Sequence, residues 1–255
     1  MAGTILVHDA DGIRTITIVA PQAKNALTRA MFAQLTEALR SAEAARAVVL
    51  TGADGNFCTG ADLADPDGAG SGDPLTYMDE LSNAARALEA IEVPTIALVE
   101  GLCVGAGMSL AMGCDLVVAS SSARFCMIFA RRGLSIDLGG STFLVRRVGV
   151  AKARELCLRA TMVPADEALR IGLCTTVFDD AVFHHEAGQI VREMGHGPTL
   201  AFTAIKELTA RAAFEDFEAV VHAECVAQIR GFGSHDVAEA ISAFFEKRTP
   251  NFEGR

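Results

Sequence analysis

The chain has 255 residues, enough for one large domain or a domain with a helical appendage. At that length a core forms without disulfide or metal staples. Hydrophobic residues make up 51% and charged residues 21%, the balance of a folded chain and not of a disordered one. A net charge of −10 argues against a general nucleic-acid binder, which needs a basic face.

The N-terminal stretch alternates as a β-ribbon: Thr4 to His8, a turn at Asp11-Gly12, then Arg14 to Ala20. It lacks the charged and apolar segments of a signal peptide. Thr28 reads as the N-cap of a helix with Met31, Phe32, Leu35 and Leu39 on one face. Ala47 to Thr51 is an apolar strand, and Phe57-Cys58 a brief second one. The stretch 64–74 has turn composition throughout and predicts a mobile surface loop. A helix is expected from Thr76 to Ile91, with Met78, Leu81, Ala85 and Leu88 inward. Thr95 to Val99 is the next strand. Gly101 to Gly107 turn the chain into a short helix ending near Gly113, followed by strands at Leu116 to Ala119 and Arg124 to Cys126.

Val93 to Ala119 is very apolar, but Glu100, Asp115 and four glycines interrupt it, which suits buried strands and a helix better than a membrane span. Beyond Gly140 the pattern is helical, with one strand at Cys174 to Phe178. The sequence Gly195-His196-Gly197-Pro198 marks a linker, so residues 1–195 are expected to form a core and 196–255 a helical region. Short strands each followed by a helix predict an α/β fold of repeated ββα units. Seven cysteines, an odd number without C-x-x-C spacing, read as buried reduced thiols of a cytoplasmic protein. No histidine stands with a cysteine or carboxylate cluster at ligand spacing, so no metal is expected.

No P-loop or complete dinucleotide fingerprint occurs. Gly107-Met108-Ser109-Leu110-Ala111 approaches a nucleophile elbow, with Asp137 and His184 or His185 following in the chain order of a serine hydrolase. An elbow serine directly follows its strand, whereas Ser109 comes about ten residues after Val99.

Two segments carry the chemistry: 47–63, AVVLTGADGNFCTGADL, and 94–115, PTIALVEGLCVGAGMSLAMGCD. Each runs from a buried strand through small residues that let a ligand approach the backbone. The N–H groups of Ala61 and Ala106 are candidates to converge on one oxygen, aided by the positive end of the helix that starts near Ala106. The alternative, that Gly105 and Gly107 only permit close packing, is equally compatible with the spacing.

The chain resembles the enoyl-CoA hydratase/isomerase (crotonase) superfamily. The resemblance rests on Asn25-Ala26-Leu27 after Lys24, FCTGADL at 57–63 and VEGLCVGAGMSLAMGCDLVVA. It continues through Arg132-Gly133-Leu134, Gly139-Gly140 and Gly172-Leu173 to FFEKRTPNF at 244–252. It implies a crotonase-like spiral of ββα units with a C-terminal helical trimerisation region, and a homotrimer or homohexamer without nucleic-acid or membrane partners. It also implies a coenzyme A thioester as substrate, with no resident cofactor, and an oxyanion hole at the N–H groups of Ala61 and Ala106. The family usually has glycine where Ala106 stands.

The chain departs from the family's hydratases at their two glutamates, whose places are taken by Ser109 and Phe129. Neither supplies an acid or a base. The family's alternative carboxylate position is Asp137, where isomerases of the ring-1,2-epoxyphenylacetyl-CoA type look similar. Asp137 could instead cap the following helix; apolar Ile136, Leu138 and Phe129 around it would raise its pKa and suit a proton shuttle. Lys24 and Lys247, the latter paired with Arg248, are candidate contacts for CoA phosphates. The expectation is an isomerase that moves a C=C bond by a 1,3-proton shift. The alternatives are a hydratase with a non-standard acid, a CoA-thioester-binding protein without turnover and, from another class, a serine hydrolase through Ser109.

Overall fold

The computed structural model describes residues 3–68 and 71–255. The ribbon forms as expected: β1 (Thr4–Ala10) pairs antiparallel with β2 (Ile13–Val19). Helix α1 (Arg29–Arg40) begins at Thr28, whose hydroxyl accepts from the Met31 N–H, and it buries Met31, Phe32, Leu35 and Leu39. Strand β3 (Ala47–Gly52) then lies parallel to β2.

Helix α2 (Pro74–Glu89) starts two residues before the expected position, because Asp73 caps it and Pro74 presets its first turn. Its inner face is Tyr77, Leu81, Ala84, Ala85 and Leu88, while Met78 is exposed. Positions 77 and 78 both fit a helical repeat with Leu81 and Leu88, so periodicity alone leaves the phase open.

Two ββα units follow. In the first, β4 (Thr95–Val99) and β5 (Leu102–Val104) lead into α3 (Ala106–Gly113). In the second, β6 (Leu116–Ser120) and β7 (Arg124–Cys126) lead, through a 3-10 turn at Ile128–Arg132, into α4 (Gly140–Arg159). Each unit gives one strand to each of two sheets. The larger has the order β1-β2-β3-β4-β6-β9, parallel after the first pair, and the smaller the order β5-β7-β8. Strand β5 hides in the expected glycine turn; it is three residues long and flanked by Gly101 and Gly105. Helix α4 is interrupted at Gly149, which takes a positive φ.

The chain continues through β8 (Val163–Pro164), α5 (Ala165–Arg170), β9 (Thr176–Phe178) and α6 (Phe183–His196). Three helices complete it: α7 (Thr199–Ala212), α8 (Phe217–Phe232) and α9 (His235–Glu246). The linker is shorter than expected. Gly195 and His196 belong to α6, and only Gly197-Pro198 separates it from α7, because a β-carbon on Gly195 would press on Ile13 and the close packing holds the turn helical. The expected ββα architecture with a terminal helical bundle is the one observed. No described helix is long and apolar enough to cross a membrane.

The cysteines are free among the described residues, and five of the seven are buried. Burial pushes the Cys58 and Cys114 thiols up to about 12, which leaves them protonated and inert. The part of 64–74 that is described is hydrogen-bonded, contrary to the expectation of a mobile loop. Asp65 accepts from the Arg29 N–H at 2.7 Å, and Gly68 N–H donates to the Asp65 carbonyl at 3.0 Å. Ala69 and Gly70 of that stretch lie outside the described residues.

Candidate active site

Asn25 sits in left-handed conformation and is fully buried. Its side-chain oxygen accepts from the Ala20 N–H, and its amide donates to the Ala53 and Asn56 carbonyls. This staple sets the next residues, so that Leu27 bridges Ala61: Leu27 N–H donates to Gly60 O at 2.8 Å, and Asp62 N–H to Leu27 O at 2.9 Å. In such a parallel bridge the N–H of Ala61 points away from Leu27.

The opposing loop is fixed by a ladder of main-chain bonds. Cys58 N–H donates to Leu102 O at 3.0 Å and Val104 N–H to Cys58 O at 2.9 Å. Gly105 then turns the chain with φ 56° and opens α3. The fit leaves no room for side chains. A β-carbon on Gly107 would lie 2.5 Å from Cys58 O, and one on Gly60 would lie 3.3 Å from the Ala106 nitrogen. Gly60 therefore rests directly on the Gly105–Ala106 peptide. Ala106 is the first residue of α3, where an N–H has no intrahelical acceptor and the helix dipole is positive. Neither Ala61 N–H nor Ala106 N–H has a hydrogen-bond acceptor among the described residues. The structure thus brings the two segments together. The close packing that Gly107 permits coexists with two neighbouring free donors, so the two readings of the glycines are compatible.

Ser109 is the fourth residue of α3 and fully buried. It is not on a strand-to-helix turn, and its hydroxyl has no hydrogen-bond partner, histidine included, which removes the geometry of a nucleophile elbow. His184 and His185 are on the surface. Phe129 is buried, with its ring against Gly105. The segment after it crosses α3: a β-carbon on Gly140 would run into Ser109 Oγ, and Gly140 N–H donates to the Asp137 carbonyl at 2.9 Å.

Asp137 does not cap α4. The capping position is Gly139, and no side chain bonds the first turn. Asp137 Oδ1 is instead buried without any partner, beside buried Leu138 and half-buried Ile136. Burial pushes its pKa up to about 6. Among the described residues, the only buried side-chain polar atoms without a partner are this oxygen and Ser109 Oγ. Orphaned buried groups are uncommon and cost stability, and both lie on the two segments, α3 and 137–140, that cross at Gly140.

The candidate phosphate contacts lie apart. Lys24 is exposed at the rim, its carbonyl accepting from Thr59 Oγ1 at 3.2 Å, two residues before Ala61. Lys247 ends α9 on the surface of the terminal bundle and makes no bond to the site loops among the described residues. Arg248, expected to pair with it, is held by Glu239 and Glu246. No group of three or more histidines, cysteines or carboxylates able to hold a metal occurs among the described residues. Sequence reasoning missed Tyr77, a buried phenol in the field of Asp137. Its signal was the alternative phase of the α2 repeat.

Comparison with known proteins agrees with this construction. The enoyl-CoA hydratase/isomerase family model matches residues 8–255. A protein of Rhodobacter capsulatus described as a probable enoyl-CoA hydratase is 36% identical over 253 residues, covering 99% of this chain and 98% of its own. The 1,2-epoxyphenylacetyl-CoA isomerase of Escherichia coli K12 is 34% identical, with 98% of each chain covered. The crystal structure of an enoyl-CoA hydratase from Polaromonas sp. JS666 superposes with a TM-score of 0.91 at 32% identity, covering 98% of this chain and 100% of that one. The chain belongs to the enoyl-CoA hydratase/isomerase family.

Proposed function

We propose that the chain acts on an acyl-CoA thioester as an enoyl-CoA isomerase, with Asp137 as the proton shuttle. The observation that carries this reading is the half-buried Asp137, whose Oδ1 is buried without a partner and whose pKa burial pushes up to about 6, in a site whose family glutamate positions hold Ser109 and Phe129. A base tuned toward neutral pH is what carbon deprotonation requires. The thioester oxygen rests on the N–H groups of Ala61 and Ala106. For a 3-enoyl thioester, Asp137 takes a proton from C2, the electrons move into a dienolate, and the negative charge falls on that oxygen. Asp137 then returns the proton to C4, leaving the double bond between C2 and C3. The atoms balance without water or a redox partner.

A hydratase using Asp137 alone is the second reading, favoured by the Rhodobacter relative's description. Hydration requires one group to activate water and another to protonate carbon. With one carboxyl in the site, hydration of crotonyl-CoA is slow. Incubating the protein with 3-enoyl-, 2-enoyl- and ring-type CoA thioesters decides the matter: conversion of the 3-enoyl compound supports the isomerase, and efficient hydration of crotonyl-CoA overturns it.

The terminal bundle carries the assembly proposal. Phe214, Phe217, Ile229, Phe232, Phe244 and Phe245 are each at least 70% exposed. That is too much apolar surface for an isolated copy, and burying it between copies gives the trimer or hexamer. Residues 196–255 are assigned as the oligomerisation region and 1–195 as the core. Lys24 and Lys247 are assigned to CoA phosphates, Lys247 to those of a neighbouring copy.

A further inference from the structure

The two N–H donors of the site sit on different loops. Ala61 follows the short Phe57-Cys58 stretch, and Ala106 follows β5. Both loops lead back to Asn25. Lys24 and Asn25 take consecutive left-handed conformations, with φ 50° and 61°. Non-glycine residues enter that region at a cost, least of all asparagine, so two in a row need bonds to hold them. Thr59 Oγ1 donates to the Ala23 carbonyl at 3.0 Å, and the Asn25 amide donates to Ala53 O at 2.7 Å and to Asn56 O at 2.6 Å.

From Asn25 one arm runs forward to Leu27, whose N–H and carbonyl bracket Ala61 through Gly60 and Asp62. The other arm runs through Asn56. Its carbonyl is held by Asn25, and its side-chain oxygen accepts at 3.2 Å from the N–H of Leu102, the first residue of β5. The fit at this joint is close. Gly101 has a φ of 50°, and a β-carbon there would lie 2.2 Å from Gly55 O and 2.9 Å from Asn56 Oδ1. Strand β5 then delivers Ala106, against whose nitrogen Gly60 rests. The two arms thus meet again at the donor pair. Asn25 stands at their common root, fully buried and remote from any acid or base of the site.

We propose that Asn25 is a positioning residue for the reaction, with Asn56 as its relay, and that together they set the separation and aim of the Ala61 and Ala106 N–H groups. This rests on the acyl-CoA reading of the site. Two donors stabilise one developing oxyanion only when both lie within hydrogen-bond distance of the same point. A misplacement of about 1 Å costs on the order of 10²-fold in rate. Affinity drawn from the rest of the thioester does not depend on that aim, so the loss falls on kcat and leaves KM nearly unchanged.

The test reads the carbonyl directly. Butyryl-CoA carrying carbon-13 at its thioester carbonyl has no double bond to move, and its infrared stretch falls as hydrogen bonds to the oxygen strengthen. Wild-type protein is expected to shift that band below its position in buffer. Asn25→Gly tolerates the left-handed backbone and removes only the side chain. It is expected to lose most of the shift, with kcat on a 3-enoyl-CoA lower by about 10²-fold. Asn56→Ala is expected to do the same to a smaller extent, and Asn56→Asp, which keeps an acceptor for Leu102 N–H, to recover most of what Asn56→Ala loses. If Asn25→Gly keeps the wild-type band and kcat per folded molecule, the staple serves stability alone and the proposal is overturned. Should Asn25→Gly not fold, a wild-type band and kcat in Asn56→Ala overturn it equally. If calorimetry detects no butyryl-CoA binding to wild type, the acyl-CoA reading itself falls. If the band shifts in wild type and not in Asn25→Gly while no 3-enoyl-CoA is converted, the isomerase reading fails and the role of Asn25 stands.

Discussion

The two ends of α3 are built from the same kinds of groups and finished differently. At the C-terminal end no buried side-chain nitrogen or oxygen lacks a partner among the described residues. Arg147 donates to the carbonyls of Met112, Cys114 and Asp115. The Asp115 carboxylate accepts from Thr95 N–H at 2.8 Å, from Thr95 Oγ1 at 2.9 Å and from Lys206 Nζ at 2.8 Å. Lys206 also reaches the Val93 carbonyl, which anchors α7 to the core. At the N-terminal end no side chain caps the helix, and Ser109 Oγ and Asp137 Oδ1 are without partners. A satisfied polar network rigidifies; an unsatisfied one stores a cost that a ligand relieves. The C-terminal end therefore reads as scaffold and the N-terminal end as the place where chemistry occurs.

The contrast is broken most directly at Asp137. Asp137→Asn keeps the shape but cannot carry the proton, and turnover of a 3-enoyl thioester is expected to fall about 10²–10⁴-fold. Because the carboxylate must be ionised to accept a proton, wild-type turnover is expected to rise with pH through about 6 and then level off. Stability moves the other way. The folded-state pKa is raised from 3.8 to about 6, so the folded protein favours the protonated form, and stability is lost as pH climbs through that window. Asp137→Asn should thus be more stable than wild type above pH 6, by up to about 3 kcal/mol, and equal to it below about pH 4. A variant that is fully active, or less stable at pH 8, would falsify the shuttle. Next in size is Ala106→Pro. The first helical position accepts proline, so the fold is retained while one donor is lost, and kcat is expected to drop about 10²–10³-fold. An unchanged kcat would show that the Ala106 N–H holds nothing in the transition state.

The contrast was half legible in the sequence. The glycines at 105 and 107 and the small residues around Ala61 announced a close backbone approach, and the pairing of Leu27 with Ala61 supplied the reason. Asp137 was singled out, but whether it capped a helix depended on two residues of register that composition does not fix; Gly139 takes that place. Strand β5 was missed because three residues between glycines carry too little pattern. Tyr77 was missed because the α2 repeat has two phases, and packing turns Tyr77 inward in place of Met78. The matched end of α3 was invisible for a different reason. Its partners, Thr95, Asp115, Arg147 and Lys206, are spread over more than a hundred residues, and only the fold assembles them.

That matched end gives the third prediction. Arg147 is buried enough that desolvation lowers its pKa, yet it stays charged and holds three carbonyls. Arg147→Leu leaves those carbonyls without their donor and is expected to cost about 2–4 kcal/mol, seen as a melting temperature lower by roughly 5–15 °C. Turnover per folded molecule should change less than twofold, because none of these atoms faces the thioester. Loss of kcat with an unaltered melt would reverse the assignment of the two ends.

The smallest effect is the most discriminating. Ser109 Oγ is fully buried and unpartnered, so its hydroxyl has been taken from water without a bond in return. Ser109→Ala deletes one oxygen from α3 and leaves the backbone unchanged, alanine being the better helix former. The expected result is a gain of about 1 kcal/mol, a rise in melting temperature of roughly 2–4 °C, with turnover within about twofold of wild type. This sign is opposite to that of Arg147→Leu, although both changes remove a polar group next to α3. A loss of stability would mean that the Ser109 hydroxyl has a bonded partner in solution and that the N-terminal end is as complete as the other. A loss of turnover, joined by labelling of Ser109 with a serine-directed phosphonate, would restore the hydrolase reading that the helix position of Ser109 argues against.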